Sequence, residues 1–220
     1  AHFTTPASNY EMVAKAVEKG AAATPRILQK FDISLDTLGD VLGVPTAELE
    51  RELQRDPQPP LVMVDGEDAQ ALREDVIERG RENAIRAFRD VGWNRTLRYY
   101  RPSGLGLEYS MGDLVIVLSQ VAEGLEPSDY PVDGIIWPKV DHPDELKLVG
   151  ETLSKLEQKI GLAENQIKMQ FLVESGWSMA QLPELVKPIM RRLSGIVFGI
   201  ADYSADVALP VIENNHPVCD

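Results

Sequence analysis

Cysteine is almost absent from this chain: Cys219 stands alone among 220 residues, which excludes an internal disulfide and makes a reducing cytoplasm the simplest setting. Histidine is nearly as scarce. His2, His142 and His216 are scattered without the spacing of a zinc cluster, so any metal would have to be held by oxygen. Cys219 has only His216 nearby and no helix start to activate it, and it reads as a bystander rather than a nucleophile. No stretch approaches the roughly 20 apolar residues of a membrane span, and the N-terminus has no basic region followed by an apolar run, so neither insertion nor secretion is signalled. Nothing repeats at solenoid or propeller periods. Basic residues are outnumbered, 22 against 35 acidic, and the resulting charge of −13 would repel both a phosphate backbone and an anionic membrane. Nucleic acid is therefore not an expected partner.

What is present is a rhythm. With 44% hydrophobic residues the chain can bury one substantial core, and a single domain over 1–220 is the default. Short apolar runs ending in Gly, Pro or charge recur at 2–5, 61–65, 96–100, 134–137, 169–173 and 195–199, and each predicts a strand. Between them lie helical periods. The stretch 71–90 carries Leu72, Val76, Ile77, Ile85 and Phe88, and 142–160 carries Leu146, Val149, Leu153, Leu156 and Ile160; 9–19, 113–123 and 181–192 are further helices. Strands that are apolar on both faces and alternate with helices predict an α/β fold with a parallel sheet. Because the units follow about every 30 residues after Leu61, a (β/α)₈ TIM barrel is the better fit than an open doubly wound sheet. Only six units are visible. Either the last quarter of a barrel is absent from this sequence or the sheet is not closed.

One segment breaks the rhythm, since some forty residues separate the first helix from the second strand. "SLDTLGDVLGVPTAELERELQRDPQPP" predicts two short helices, the second started by Pro45 and Thr46 and carrying Leu49 and Leu53. Residues 22–60 are expected to form a helical insertion, either a lid or a plain cap on one barrel end.

Parallel barrels carry their sites at the C-terminal ends of the strands. The polar residues in those places are Asp65, Glu67 and Asp68 after the second strand, Arg98 and Arg101 at the third, Lys139 and Asp141 after the fourth, Glu174 after the fifth, and Asp202 and Asp206 after the sixth. Glu174 and Asp202 leave consecutive strands, which in a parallel sheet lie about 4.8 Å apart, so their carboxylates can converge on one hard cation. Magnesium fits best, with Mn²⁺ as the substitute, because it accepts one or two protein carboxylates and leaves its other positions to water and substrate. A guanidinium at the third strand end could clamp a carboxylate and stabilise charge on a carbonyl oxygen. Lys139 either faces this site or caps a barrel layer by pairing with a neighbouring carboxylate. Trp137, Trp177 and Met179 either line an acyl pocket or fill the barrel mouth.

Five motifs occur in order: "TPASNYEMVAKA" (5–16), "VMVDGEDA" (62–69), "DGIIWPKV" (133–140), "FLVESGWSMAQLPEL" (171–185) and "IVFGIADYSADV" (196–207). Together they resemble the citrate lyase β-subunit-like family, which includes malyl-CoA, β-methylmalyl-CoA and citramalyl-CoA lyases. The resemblance implies an oligomeric (β/α)₈ barrel that makes or breaks a carbon–carbon bond beside a carbonyl with the help of Mg²⁺. Matched position by position, it implies Glu174 and Asp202 as the metal carboxylates and Arg101 as the catalytic arginine, with Arg98 as the runner-up. It implies Glu67 and Asp68 as an acidic pair holding the arginine, metal-bound water or reacting groups. Asp65, Lys139, Gly199 and Ser175 would touch substrate or support the residues that do. The implied substrates are a 2-oxo acid such as glyoxylate or pyruvate and a β-hydroxy acid or its CoA thioester. Two readings stand beside this one: a barrel repurposed as a binding or subunit protein, and an enzyme using a pyruvate-like enolate for phosphoryl or hydrolytic chemistry.

Overall fold

A computed structural model of the chain describes residues 2–20, 28–54, 59–67, 71, 73–103 and 106–209. The chain forms two compact units, Ala1–Tyr99 and Tyr100–Asp220. In the first, β1 (His2–Pro6) runs parallel to β2 (Leu61–Asp65) in the register His2 to Leu61 and Pro6 to Asp65. Pro6 can close β1 because the ladder continues without it: the Ala7 N–H donates to the Asp65 carbonyl at 2.7 Å. All five residues of β2 are buried, as expected of a strand apolar on both faces.

Helix α1 (Tyr10–Gly20) starts where the Asn9 side chain accepts the Met12 N–H at 3.2 Å, and it buries Val13 and Val17, one turn apart. Two short helices follow, α2 (Leu35–Leu42) and α3 (Thr46–Gln54), at the places expected for them. Ser34 caps the first, Gly43 ends it at φ +65°, and Thr46 Oγ1 donates to Asp36 Oδ1 at 2.7 Å, tying the pair together. Phe31, Val41 and Leu42 are exposed there.

Helix α4 (Glu74–Asp90) buries Val76, Ile77, Gly80, Ala84, Ala87 and Phe88 on one face. Its Asn83 donates to the Ser8 carbonyl at 2.9 Å, and Arg86 lies 4.1 Å over the Tyr10 ring, so α4 packs on α1. Trp93 stacks on Phe88 and donates from Nε1 to the Ala87 carbonyl, turning the chain into β3 (Leu97–Arg101), whose first N–H donates to the Pro60 carbonyl.

β3 runs across the unit boundary, and its last two residues, Tyr100 and Arg101, begin the second unit. There α5 (Leu107–Ala122), β4 (Gly134–Trp137), α6 (Pro143–Ile160), β5 (Lys168–Val173) and β6 (Leu193–Phe198) alternate. β4, β5 and β6 are parallel neighbours, with Gly134 opposite Lys168 and Val173 opposite Phe198. His142 caps α6, Pro143 occupies its first turn and Gly161 ends it at φ +79°. Its apolar stripe Leu146, Val149, Leu153, Leu156 is buried, each side chain contributing roughly 1.5–3 kcal/mol.

Several boundaries depart from expectation: α5 begins at Leu107 rather than at 113, α4 at Glu74 rather than at 71, and β3 covers Leu97–Arg101 rather than 96–100. The helix expected over 181–192 breaks into α8 (Leu182–Val186) and a 3₁₀ turn (Lys187–Ile189), because Pro188 has no N–H to continue the ladder. β6 begins at Leu193 rather than at 195, since the Met169 N–H already pairs with the Arg192 carbonyl, and a register shift at Met169/Gln170 follows. Two short helices stood unannounced: α7 (Gly176–Ala180) and α9 (Ile200–Asp206). The fold is α/β, a run of βα units of the eightfold-barrel type, with six strands among the described residues.

Candidate active site

In the second unit the parallel strands β4, β5 and β6 end on one side, and Lys139, Glu174 and Asp202 come within four residues of those ends. Glu174 follows Val173 of β5, and its side chain is buried. The Lys139 N–H donates to Glu174 Oε2 at 2.9 Å. Lys139 adopts φ +45°, a left-handed conformation that costs a non-glycine residue about a kcal/mol or more; it aims the N–H at the carboxylate. From the same residue the ammonium reaches Asp202, with Nζ 4.0 Å from Oδ2. Both side chains are half exposed, 48% and 50%. Lys139 thus touches both carboxylates expected to hold a metal.

Gly199 fits against Glu174 so closely that a Cβ there would lie 2.5 Å from Glu174 Cγ and 2.9 Å from Oε1. Its φ of −86° is open to any residue, so it is the approach of the carboxylate that excludes a side chain. The Gly199 N–H donates to the Val173 carbonyl at 3.0 Å, holding the two strand ends side by side. Asp202 sits in the first turn of α9, where a carboxylate complements the helix N-terminus. Asp206, at the other end of α9, accepts the Gly176 N–H at 2.8 Å and fastens α9 to the turn after β5.

Ser175 is committed to its own helix: its Oγ accepts the Ser178 N–H at 3.0 Å and bonds Ser178 Oγ, a capping box that starts α7. Trp137 is buried, with Nε1 donating to Glu145 Oε1 at 2.8 Å, while Trp177 stays partly exposed and stacks on His142, and Met179 is likewise exposed. Asp141 is exposed, with its N–H donating to Glu145 Oε2.

Arg101 ends β3 with its side chain buried, whereas Arg98, nearer the start of the strand, is only half-buried. Two residues on, the Ser103 N–H donates to Asp113 Oδ2 at 3.0 Å, and Ser110 Oγ bonds the Ser103 carbonyl. Asp113, on α5, thus fastens the backbone that follows β3. Its signal in the sequence is a carboxylate at a core position, one and two turns before the buried Val117 and Val121.

In the first unit, Asp65 and Glu67 are both fully buried, and the Glu67 N–H donates to Asp65 Oδ1 at 2.9 Å. Asp68 lies outside the described residues.

The donors after β5 and β6 are two carboxylates, one buried and one half exposed. Among the described residues no group of three or more His, Cys, Asp or Glu side chains is placed to hold a metal. Two hard oxygen donors suit a cation that keeps water or substrate oxygens in its other positions; they do not suit a closed zinc site. No helix among the described residues is long and apolar enough to cross a membrane.

A family model described as HpcH/HpaI aldolase/citrate lyase matches residues 57–216. The L-malyl-CoA/beta-methylmalyl-CoA lyase of Haloarcula marismortui is 28% identical over 104 residues, which is 47% of this chain and 30% of that protein. The glyoxysomal malate synthase of Candida tropicalis is 24% identical over 132 residues, 58% of this chain and 23% of that one. Among solved structures, the magnesium/glyoxylate complex of Haloferax volcanii malate synthase superposes with a TM-score of 0.63 at 18% identity, over 94% of this chain and 53% of that one. Its pyruvate/acetyl-CoA ternary complex gives 0.56 at 20% identity, over 72% and 44%. The chain spans less than a third of the curated relatives it matches and about half of the solved ones.

Proposed function

Because the chain belongs to the HpcH/HpaI aldolase/citrate lyase family, we propose that it is a carbon–carbon lyase or aldolase dependent on Mg²⁺ or Mn²⁺. It splits or forms a β-hydroxy acid or its CoA thioester, with a 2-oxo acid such as glyoxylate or pyruvate as one partner. The observation that carries the reading is that Lys139 bonds Glu174 through its N–H and pairs with Asp202 through its ammonium, the two acids following adjacent parallel strands. The names of the relatives, malyl-CoA lyase and malate synthase, support the substrate class.

Glu174 and Asp202 would hold the cation, which supplies Lewis-acid polarisation of a carbonyl and charge neutralisation for the acid beside it. The residues of the chain do the rest. The Lys139 N–H and the Gly199 backbone fix one orientation of the Glu174 carboxylate. In the cleavage direction the β-hydroxyl passes its proton to a general base, its oxygen becomes the carbonyl of the 2-oxo acid as the Cα–Cβ bond breaks, and the electron pair of that bond passes to the enolate of the leaving acid or thioester. The Arg101 guanidinium, buried and always charged, offers paired N–H donors to an oxygen on which charge develops or to a substrate carboxylate. The catalytic roles implied for Glu67 and Asp68 and a homo-oligomeric assembly belong to the same proposal.

Isothermal titration of Mg²⁺ in the presence of glyoxylate or pyruvate tests it. Binding by the wild type that is lost in both Glu174→Gln and Asp202→Asn supports the assignment; binding indifferent to both changes overturns it.

A further inference from the structure

Lys139 is an unusual residue to find between two acids meant for a divalent cation. Its backbone serves one of them and its side chain the other: the N–H donates to Glu174 Oε2 at 2.9 Å, and Nζ stands 4.0 Å from Asp202 Oδ2. The left-handed φ of +45° is what allows this division, since it turns the N–H toward β5 while the side chain extends toward α9. Gly199 packs against the same Glu174 side chain, a Cβ there standing 2.9 Å from Oε1, while the Lys139 N–H holds Oε2.

From this geometry, and resting on the cation reading of Glu174 and Asp202, we propose that Lys139 is a positioning residue that sets the affinity of the site for its divalent cation. Its N–H orients Glu174 whatever the side chain is. Its ammonium is a built-in competitor: it neutralises Asp202 when no metal is there and must give way, or tolerate a second positive charge close by, when a metal binds. The site is therefore weakened for the cation alone. A bound substrate carboxylate adds the negative charge that restores the balance, so cation and substrate acid bind each other's complex more tightly than either binds alone.

The test is isothermal titration of Mg²⁺ without substrate, on the wild type and on Lys139→Met, Lys139→Arg, Glu174→Gln and Asp202→Asn. Met removes the charge and keeps the N–H; Arg keeps both. Lys139→Met is expected to bind Mg²⁺ tighter by on the order of five- to tenfold, the scale of a half-exposed charge pair acting on a doubly charged ion, and the gain shrinks as salt is raised. Lys139→Arg stays within about twofold of the wild type. A purely structural part in the left-handed turn would move Met and Arg together, and that result overturns the proposal. So does Lys139→Met binding equally or more weakly while Glu174→Gln and Asp202→Asn lose binding, an outcome that leaves the cation site itself standing. Binding indifferent to Glu174→Gln and Asp202→Asn sinks the underlying site reading instead, and this inference with it.

Discussion

The α-carbon of Gly199 packs on the carboxylate arm of Glu174 so tightly that one added methyl group would stand 2.5 Å from Glu174 Cγ. Glycine is needed there for space, and the space belongs to a carboxylate that must point one way. Gly199→Ala is accordingly expected to push Glu174 off its bond with the Lys139 N–H. Overpacking of this size costs about 1–3 kcal/mol of stability, and the loss of a Mg²⁺ ligand's orientation is expected to weaken cation binding by on the order of tenfold or more. Urea denaturation and Mg²⁺ titration of the same variant check the two parts. A variant with reduced stability and unchanged cation affinity would separate Gly199 from the site.

Arg101 and Arg98 lie on the same strand, but only Arg101 is buried at its end. If its guanidinium clamps substrate oxygens with paired donors, lysine cannot replace it, because an ammonium offers a point charge and no planar fork. Arg101→Lys is expected to lower kcat/KM by about 10²–10³, the cost of removing one preorganised donor to developing charge. Arg98→Lys is expected to change it less than threefold. Steady-state kinetics with a β-hydroxyacyl substrate decide the matter, and equal losses in the two variants would remove Arg101 from its assigned role.

How much of this was legible beforehand depends on how local the cause was. β2 and β4 were read to the residue, since each is an apolar run stopped by Asp65 or Pro138, and both are buried on two faces. Glu174, Lys139 and Asp202 are candidates on the same ground: they are the first polar groups after such runs. What escaped depended on partners distant in sequence. Nothing near Lys139 announces that its backbone is left-handed, because the carboxylate that rewards the conformation lies 35 residues on. The start of β6 is set by Arg192, tied to Glu157 on α6, and not by any turn signal of its own. Ser175, which the resemblance implies as a substrate contact or a support for one, has its hydroxyl in the capping box with Ser178.

The pair that sets β6 also bears on stability. Arg192 Nη1 lies 2.6 Å from Glu157 Oε1 with both side chains almost fully buried, 3% and 2% exposed. Arg192 also donates to Glu157 Oε2 at 2.9 Å, Ser154 Oγ at 3.0 Å and the Ile167 carbonyl at 2.7 Å, and Glu157 also accepts the N–H groups of Asn165 and Ile167. Removing one partner leaves the other charged, buried and short of bonds. Arg192→Met or Glu157→Gln is expected to cost about 3–5 kcal/mol, whereas exposed pairs such as Lys187 with Glu184 are worth under about 1 kcal/mol. Urea midpoints measure both, and a loss below 1 kcal/mol at Arg192 would show that the cluster relaxes around water.

Tyr130 gives the fold a dependence on alkaline pH. Burial, and after it the Glu157 carboxylate, pushes its phenol well above the ordinary value near 10. The folded chain therefore holds this proton at a pH where the unfolded chain releases it. Stability from the neutral phenol is complete below about pH 10 and declines as pH rises beyond it, by up to about 1.4 kcal/mol per pH unit. Tyr130→Phe abolishes that slope. It also deletes the hydrogen bond from the phenol to the Leu118 carbonyl, 3.3 Å long, so at pH 7 the variant is expected to be weaker by about 0.5–1.5 kcal/mol. The two stability curves, taken from urea unfolding between pH 7 and 11, should then converge above pH 10 and cross. Curves that stay parallel through that range would mean that Tyr130 ionises in the folded chain as readily as in the unfolded one.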